Sequence, residues 1–259
     1  MGKHKPFGAS ARDVKDRSML VSFDSNAWEK IFNPKEDREW APIRDALVAR
    51  RLEGFICASG FRIEAIKKRE RAAYFAEPYV DWAFEGSILR DGVPYTKTSF
   101  GPDNTRHPGL DSRQVTKLQR ALATGIRLMR GLNWTDLPEP REILDPQIYV
   151  LETSKAQREQ RQLDVSNLVD ARGVGRGAVA AIYNNKDPDE KRFIKACAEW
   201  ADGELVAAHI AYQNDILCTD DFAKKTPTSV FNPKNRAWLT SDYSVVFKTI
   251  DELLAEIAK

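Results

Sequence analysis

The sequence predicts an α/β domain with a chemical site at the carboxyl edge of an open sheet. Two observations carry this. Short apolar runs, Ser18-Met19-Leu20-Val21-Ser22-Phe23 and Gly54-Phe55-Ile56-Cys57-Ala58-Ser59, read as buried strands, and each is followed by a stretch with helical apolar spacing. Much later, a small-residue helix led by Asp202 precedes Ile216-Leu217-Cys218, an apolar strand that ends on Thr219-Asp220-Asp221. In open α/β sheets ligands bind outside the carboxyl ends of the strands. The chain holds 38 Asp and Glu, so an acid alone says little and its position decides.

Taken in order, the first apolar run ends on Asp24-Ser25-Asn26, and Ala27 to Phe32 begins a helix that Asn33-Pro34 stops. Asp24 is thus at a strand-to-helix junction, where an acid also serves as a plain N-cap. Residues 36–51 read as a charged helix with Trp40, Ile43, Leu47 and Val48 inward. The second strand leads into a helix over 60–71, with Ile63 and Ile66 buried and Glu64 in its first turn. Glu64 with Lys67 or Lys68 is also an ordinary helix-surface ion pair, worth about 0.2–0.5 kcal/mol. The cluster Lys67, Lys68, Arg69, Arg71 reads as a solvated face whose nearness to Glu64 allows a phosphate-facing role for Lys67, Lys68 and Arg71.

The rhythm breaks over 75–113, read as an insertion on the core. Ser87 to Arg90 and Val93 to Thr98 flank Asp91-Gly92 as a hairpin, and Gly101 to Gly109 is a loop of turn residues. Residues 111–130 read as a helix with Val115, Leu118, Leu122, Ile126 and Met129 inward, and Gln147 to Leu151 as a third strand. Gly173-Val174-Gly175-Arg176-Gly177 spaces its glycines too closely for a dinucleotide fingerprint and follows no apolar strand. Asp187-Pro188 starts a helix with Phe193, Ile194, Cys197 and Trp200 on one face. In the next helix Leu205, Ala208 and Tyr212 share a face behind Asp202. Val245 to Thr249 is the last strand and Ile250 to Ile257 the closing helix.

Composition bounds the function. A chain of 259 residues with 42% hydrophobic residues buries a good core, and residues 18–259 read as one domain behind a polar, basic leader at 1–17. The formal net charge is +2, so a nucleic-acid site has to be a local patch. Cys57, Cys197 and Cys218 lie among apolar residues without metal-ligand spacing, which predicts reduced, buried thiols in a cytoplasmic protein. No apolar run is long enough to span a bilayer, and the leader has neither a secretory apolar core nor Ser or Thr at position 6 for myristoylation.

Four acids occupy comparable places. Asp24 and Asp221 follow strands, Glu64 opens a helix just after one, and Asp202 opens the helix before the strand that leads to Asp221. In a parallel sheet with helices on both faces all four converge on one edge. Converging carboxylates repel unless a counter-ion joins them. Hard oxygen donors suit Mg²⁺ or Mn²⁺, and a metal-bound water then serves as nucleophile towards phosphorus.

The ordered set resembles the PIN-domain nucleases. Phe23-Asp24-Ser25-Asn26 is similar to that family's first-acid motif, and Ala58 to Glu64 to its second. Asp202 to Ala208 resembles the third, with Ala207 and Ala208 shifted from the commonest spacing, and Thr219-Asp220-Asp221 is similar to the fourth. The motifs cover residues 18–71 and 189–250, while 75–180 is longer than in compact members. The resemblance implies a three-layer α/β/α sandwich with a mostly parallel sheet, and a metal-dependent endonuclease acting most often on RNA. Asp24, Glu64, Asp202 and Asp221 are then metal ligands or water activators. Asn26, Thr219 and Asp220 are supporting polar residues, with Asp220 and Asp221 interchangeable at this stage. The resemblance also allows an inhibitory or regulatory protein partner and a homo-oligomer. The competing expectations are a non-catalytic nucleic-acid or protein interaction module on the same fold, and an enzyme acting on small phosphorylated molecules.

Overall fold

Met19–Phe23 forms β1, the middle strand of a five-stranded, all-parallel sheet. The structure, a computed structural model, describes residues 18–58, 82–83, 88–90, 93–95, 98–99, 112–129, 190–223 and 229–258. On one side of β1 lie β2 (Leu52–Cys57) and then β7 (Arg127–Met129); on the other lie β8 (Ile216–Cys218) and then β9 (Val246–Lys248). The short strands β3 (Trp82–Ala83), β4 (Ile88–Arg90), β5 (Val93–Tyr95) and β6 (Thr98–Ser99) pair antiparallel, β3 with β6 and β4 with β5. The register Ile88 opposite Tyr95 and Arg90 opposite Val93 is the expected hairpin about Asp91-Gly92.

Strand residues alternate between two cores, which makes the fold a three-layer α/β/α sandwich. Val21, Phe23, Leu52, Ile56, Ile216 and Cys218 face one side, under α1 (Ser25–Ile31), α2 (Ala41–Val48), α3 (Ser112–Ala123) and α6 (Ile250–Ile257). Phe55, Cys57, Met129 and Leu217 face the other, under α4 (Glu190–Tyr212) and α5 (Pro233–Tyr243). Gly54 leaves room for the first layer: a Cβ there would stand 2.9 Å from Ile126 Cγ1, 2.9 Å from Leu47 Cδ2 and 3.0 Å from Phe23 Cε2. Behind the sheet on the α4 side, His209 Nδ1 lies 2.9 Å from Ser22 Oγ, which also accepts from Asn214 Nδ2 at 2.8 Å. Burial pushes the His209 pKa down to about 3, so the ring is neutral.

Several expectations are corrected. The helix over 111–130 ends at Ala123, and Ile126 and Met129 belong to the turn and to β7. Gly125 is the cause: at φ 90° it takes the left-handed position, with Gly125 N–H donating to Leu122 O and Ile126 N–H to Ala121 O. The third strand of the sheet is therefore β7, and the run 147–151 lies outside the described residues. Asp202 does not lead a helix, because α4 is continuous over 23 residues. Gly203 weakens a helix by about 1 kcal/mol relative to Ala. The buried residues on both sides of it, Ala201 and Leu205 to Ala208, outweigh that. The charged helix expected over 36–51 is shorter, a 3-10 turn at Pro34–Glu36 and then α2, and Val48 is 66% exposed because it sits one residue beyond the inward Leu47. Helix α5 was not anticipated, although Asn232 caps it by accepting from Asn235 N–H and Pro233 stands in its first turn. The leader 1–17 and the helix over 60–71 lie outside the described residues. Among the described residues no helix is long and apolar enough to cross a membrane.

Two stability outcomes follow. Gly54→Ala overpacks the β2–α2 contact and lowers the urea-denaturation free energy by about 1–3 kcal/mol. His209 favours the fold above its unfolded value of 6.5, and that contribution is lost as pH falls from 6.5 to about 3. Thermal melts of His209→Gln should accordingly show a shallower acid dependence than the wild type across that window.

Candidate active site

The sheet places the site. From β1 the chain builds outward to β2 and β7, then returns to the other side of β1 for β8 and β9. The reversal point lies between β1 and β8, the place where open α/β sheets bind ligands beyond the carboxyl ends of their strands. Phe23 pairs with Cys218, so Asp24 and Thr219 leave adjacent strands at the same level. Asp24 N–H donates to Cys218 O at 3.0 Å and Thr219 N–H to Lys248 O at 2.9 Å, which extends the ladder to the edge.

Asp24 caps α1 and is only 5% exposed. Its Oδ1 accepts from Ser25 N–H at 2.6 Å, and its Oδ2 accepts from Asn26 Nδ2 at 2.6 Å and from Thr219 Oγ1 at 2.7 Å. Burial raises its pKa above the ordinary 3.8; the bonds from Thr219 and Ser25 pull it back, and the charge of Asp221 raises it further. Thr219 spends its one donor on Asp24 and accepts from Asp221 N–H at 3.1 Å and from Asn26 Nδ2 at 3.4 Å. Asn26 Oδ1 accepts from Asp220 N–H at 3.0 Å, so Asn26 ties the end of β1 to the end of β8.

The two neighbouring acids separate. Asp220 turns towards α1 and α6: Oδ2 pairs with Lys30 Nζ at 2.6 Å, and Oδ1 accepts from Ile250 N–H at 3.1 Å. Asp221 is exposed, with Oδ1 accepting from Ala223 N–H at 2.7 Å, and its charge acts on Asp24, Glu199 and Arg236. Asp221 is therefore the member of the pair whose charge acts on Asp24, and Asp220 is a brace.

From α4, Asp202 is half-buried and is not among the hydrogen-bond partners of Asp24. Glu199, one turn earlier, is a residue the sequence reading passed over. Burial raises its carboxyl, a hydrogen bond with Ser229 and the charge of Lys195 lower it, and Asp221 raises it. Its Oε2 is buried without a hydrogen-bond partner among the described residues. The available signal was the spacing of Glu199 and Asp202 at i, i+3, which puts both on one side of a helix. Glu64, Lys67, Lys68 and Arg71 lie outside the described residues.

Arg236 on α5 closes the other flank. Its Nε donates to Phe231 O at 2.9 Å and its Nη2 to the main-chain carbonyl of Asp221. Its Cζ lies 4.6 Å from the Phe247 ring centre, 4.9 Å from that of Phe222 and 5.8 Å from that of Phe231.

Among the described residues no group of three or more His, Cys, Asp or Glu side chains is placed to hold a metal ion. The donor chemistry nonetheless fits a hard divalent cation. Asp24 and Asp221 offer only oxygen, the charge of Asp221 raises the cost of ionising Asp24, and Glu199 presents a buried oxygen that accepts no hydrogen bond among the described residues. No protein-family model matches the chain, and no curated protein or solved structure matches it.

Because its folded-state pKa is raised, Asp24 favours the fold below 3.8 and costs stability as pH rises through its folded value. The thermal midpoint of Asp24→Asn should gain on that of the wild type as pH goes from 3 to 7. A constant difference between the two across that range would contradict the assignment of Asp24 as a desolvated carboxylate.

Proposed function

We propose that this chain is a PIN-domain-like, metal-dependent endonuclease that hydrolyses phosphodiester bonds of single-stranded nucleic acid, most naturally RNA. The observation that carries the reading is the desolvated Asp24 carboxylate, oriented by Thr219 and Asn26 at the reversal point of the sheet, with Asp221 acting on it. A carboxylate held in an electrostatically unfavourable state is common at functional sites.

In this reading Asp24 and Asp221 would hold Mg²⁺ or Mn²⁺ together with Asp202, Glu64 or Glu199. Such an ion would supply a bound water of lowered pKa and stabilisation of charge on the phosphoryl oxygens. The protein's own part is positional. Asn26 and Thr219 fill both lone pairs of Asp24 Oδ2 and Ser25 N–H takes one on Oδ1, so the carboxylate has one orientation and keeps acceptor capacity on Oδ1 alone. Asp220 keeps the β8 end attached to α1 and α6 while Asp221 stays available. Free, buried Cys57 and Cys218 accord with the cytoplasmic location included in this proposal. A regulatory protein partner and a homo-oligomer belong to the same proposal.

The test is cleavage of end-labelled RNA and single-stranded DNA with Mg²⁺, with Mn²⁺ and with EDTA. Asp24→Asn and Asp221→Asn should each lower metal-dependent cleavage by at least about 100-fold, since even groups that only orient a ligand cost 10–100-fold. Asp220→Asn should remain within about tenfold of wild type on the same scale, while its thermal midpoint falls. Cleavage that persists in EDTA, or in both Asp24→Asn and Asp221→Asn, would sink the nuclease. Retained single-strand binding with no divalent-ion uptake by calorimetry would instead support a non-catalytic module on this fold.

A further inference from the structure

We propose that Arg236 holds a phosphate of the single-stranded substrate beside Asp24 and Asp221, an assignment that rests on the nuclease reading of that site. Arg236 is half-buried on α5, and its cationic form is disfavoured by that burial. Nearby charges ease the cost: Asp221, Asp24 and Glu252 all favour the guanidinium. Yet among the described residues no carboxylate lies within ion-pair distance of it. It is anchored instead by two neutral carbonyls, Phe231 O and Asp221 O, and by three aromatic rings.

An internal brace of the loop would need only those two hydrogen bonds. A desolvated full charge is a costly way to make them when no partner neutralises it. The anchoring uses Nε and Nη2, and Nη1 makes no hydrogen bond among the described residues. A guanidinium fixed on one edge, with donors left over and placed in the field of two acids, is suited to a phosphate oxygen. The acids alone would repel a polyanionic strand, so a fixed cation beside them sets where the strand can approach. Phe222, 43% exposed next to Asp221, adds an aromatic surface on which an adjoining nucleotide can rest. A strand, more than a lone phosphate, uses both features.

The experiment measures binding of a fluorescein-labelled oligouridine 12-mer to the full chain in EDTA, by anisotropy, across a salt series. Loss of one phosphate contact from a single strand lowers the slope of log K against log salt by about 0.7. Arg236→Gln should show that drop together with about tenfold or greater loss of affinity, because a charge-assisted hydrogen bond is removed. Arg236→Lys should keep the slope and lose part of the affinity, since the charge stays and the fork goes. With Mg²⁺, both variants should show a raised KM. A residue that only braced the Asp221 loop would change kcat or the melting temperature and leave the metal-free salt slope unchanged.

An unchanged slope in Arg236→Gln overturns the assignment, as does a wild type that binds uridine monophosphate but no 12-mer. Should Arg236→Gln fail to fold, Arg236→Lys decides: unaltered affinity and KM overturn the assignment, and a loss in both supports it. The nuclease reading is separable from this result. Cleavage abolished by Asp24→Asn alongside an unaltered Arg236→Gln slope removes only the role of Arg236. A reduced slope in a wild type that never cleaves keeps the phosphate contact and removes the nuclease.

Discussion

A carboxylate in a nearly dry place is the constraint on which the sheet edge is built. Asp24 at 5% exposure would be costly to ionise without partners. Its donors come from two directions: Ser25 and Asn26 from the first turn of α1, and Thr219 from the end of β8. The bonds that make the charge tolerable therefore also tie the two strands together past their last ladder pair. Asn26 repeats the tie through Asp220 N–H. The rest of the edge inherits its geometry from this cluster, since the direction in which Asp221 leaves β8 depends on Thr219.

The separation of Asp220 from Asp221 is a consequence of extended backbone. Successive side chains there point to opposite faces. Cys218 faces the layer of α1 and α6, and Asp220, two residues on, reaches Lys30 and Ile250 from those helices. Leu217 faces the layer of α4 and α5, and the charge of Asp221 acts on Glu199 and Arg236 from those. One acid is thereby committed to tying β8 to α1 and α6, and the other stays exposed at the sheet edge. The same alternation assigns Phe23 to the first layer.

Legibility in the sequence followed the range of the interactions. The runs at 19–23 and 52–57, the closing helix and the hairpin about Asp91-Gly92 were readable because apolar periodicity and turn chemistry are local. The helix over 111–130 was misread because Leu118, Leu122, Ile126 and Met129 keep helical spacing across Gly125, and a single left-handed residue redirects the chain without breaking the pattern. Asp202 reads as a helix start because the acid stands at the head of a small-residue stretch with Leu205, Ala208 and Tyr212 on one face. The packing of Leu205 to Ala208 against the sheet carries α4 straight through. Only its i, i+3 spacing from Asp202 sets Glu199 apart from the other acids of a charged helix, and the burial of its carboxyl arises from tertiary packing.

By itself the sequence determined an α/β fold and marked Asp24-Ser25-Asn26 and Thr219-Asp220-Asp221 as the exits of two apolar strands. Tertiary structure alone decided that β1 and β8 are neighbours, that Asp220 is bound to Lys30 and Ile250, and that the charge of Asp221 acts on Asp24, Glu199 and Arg236. The physical reason is that strand identity is written in local hydrophobicity. Strand order and the burial that shifts a carboxylate arise only when segments nearly two hundred residues apart come within hydrogen-bond distance, as Asp24 and Thr219 do at 2.7 Å with a separation of 195 residues.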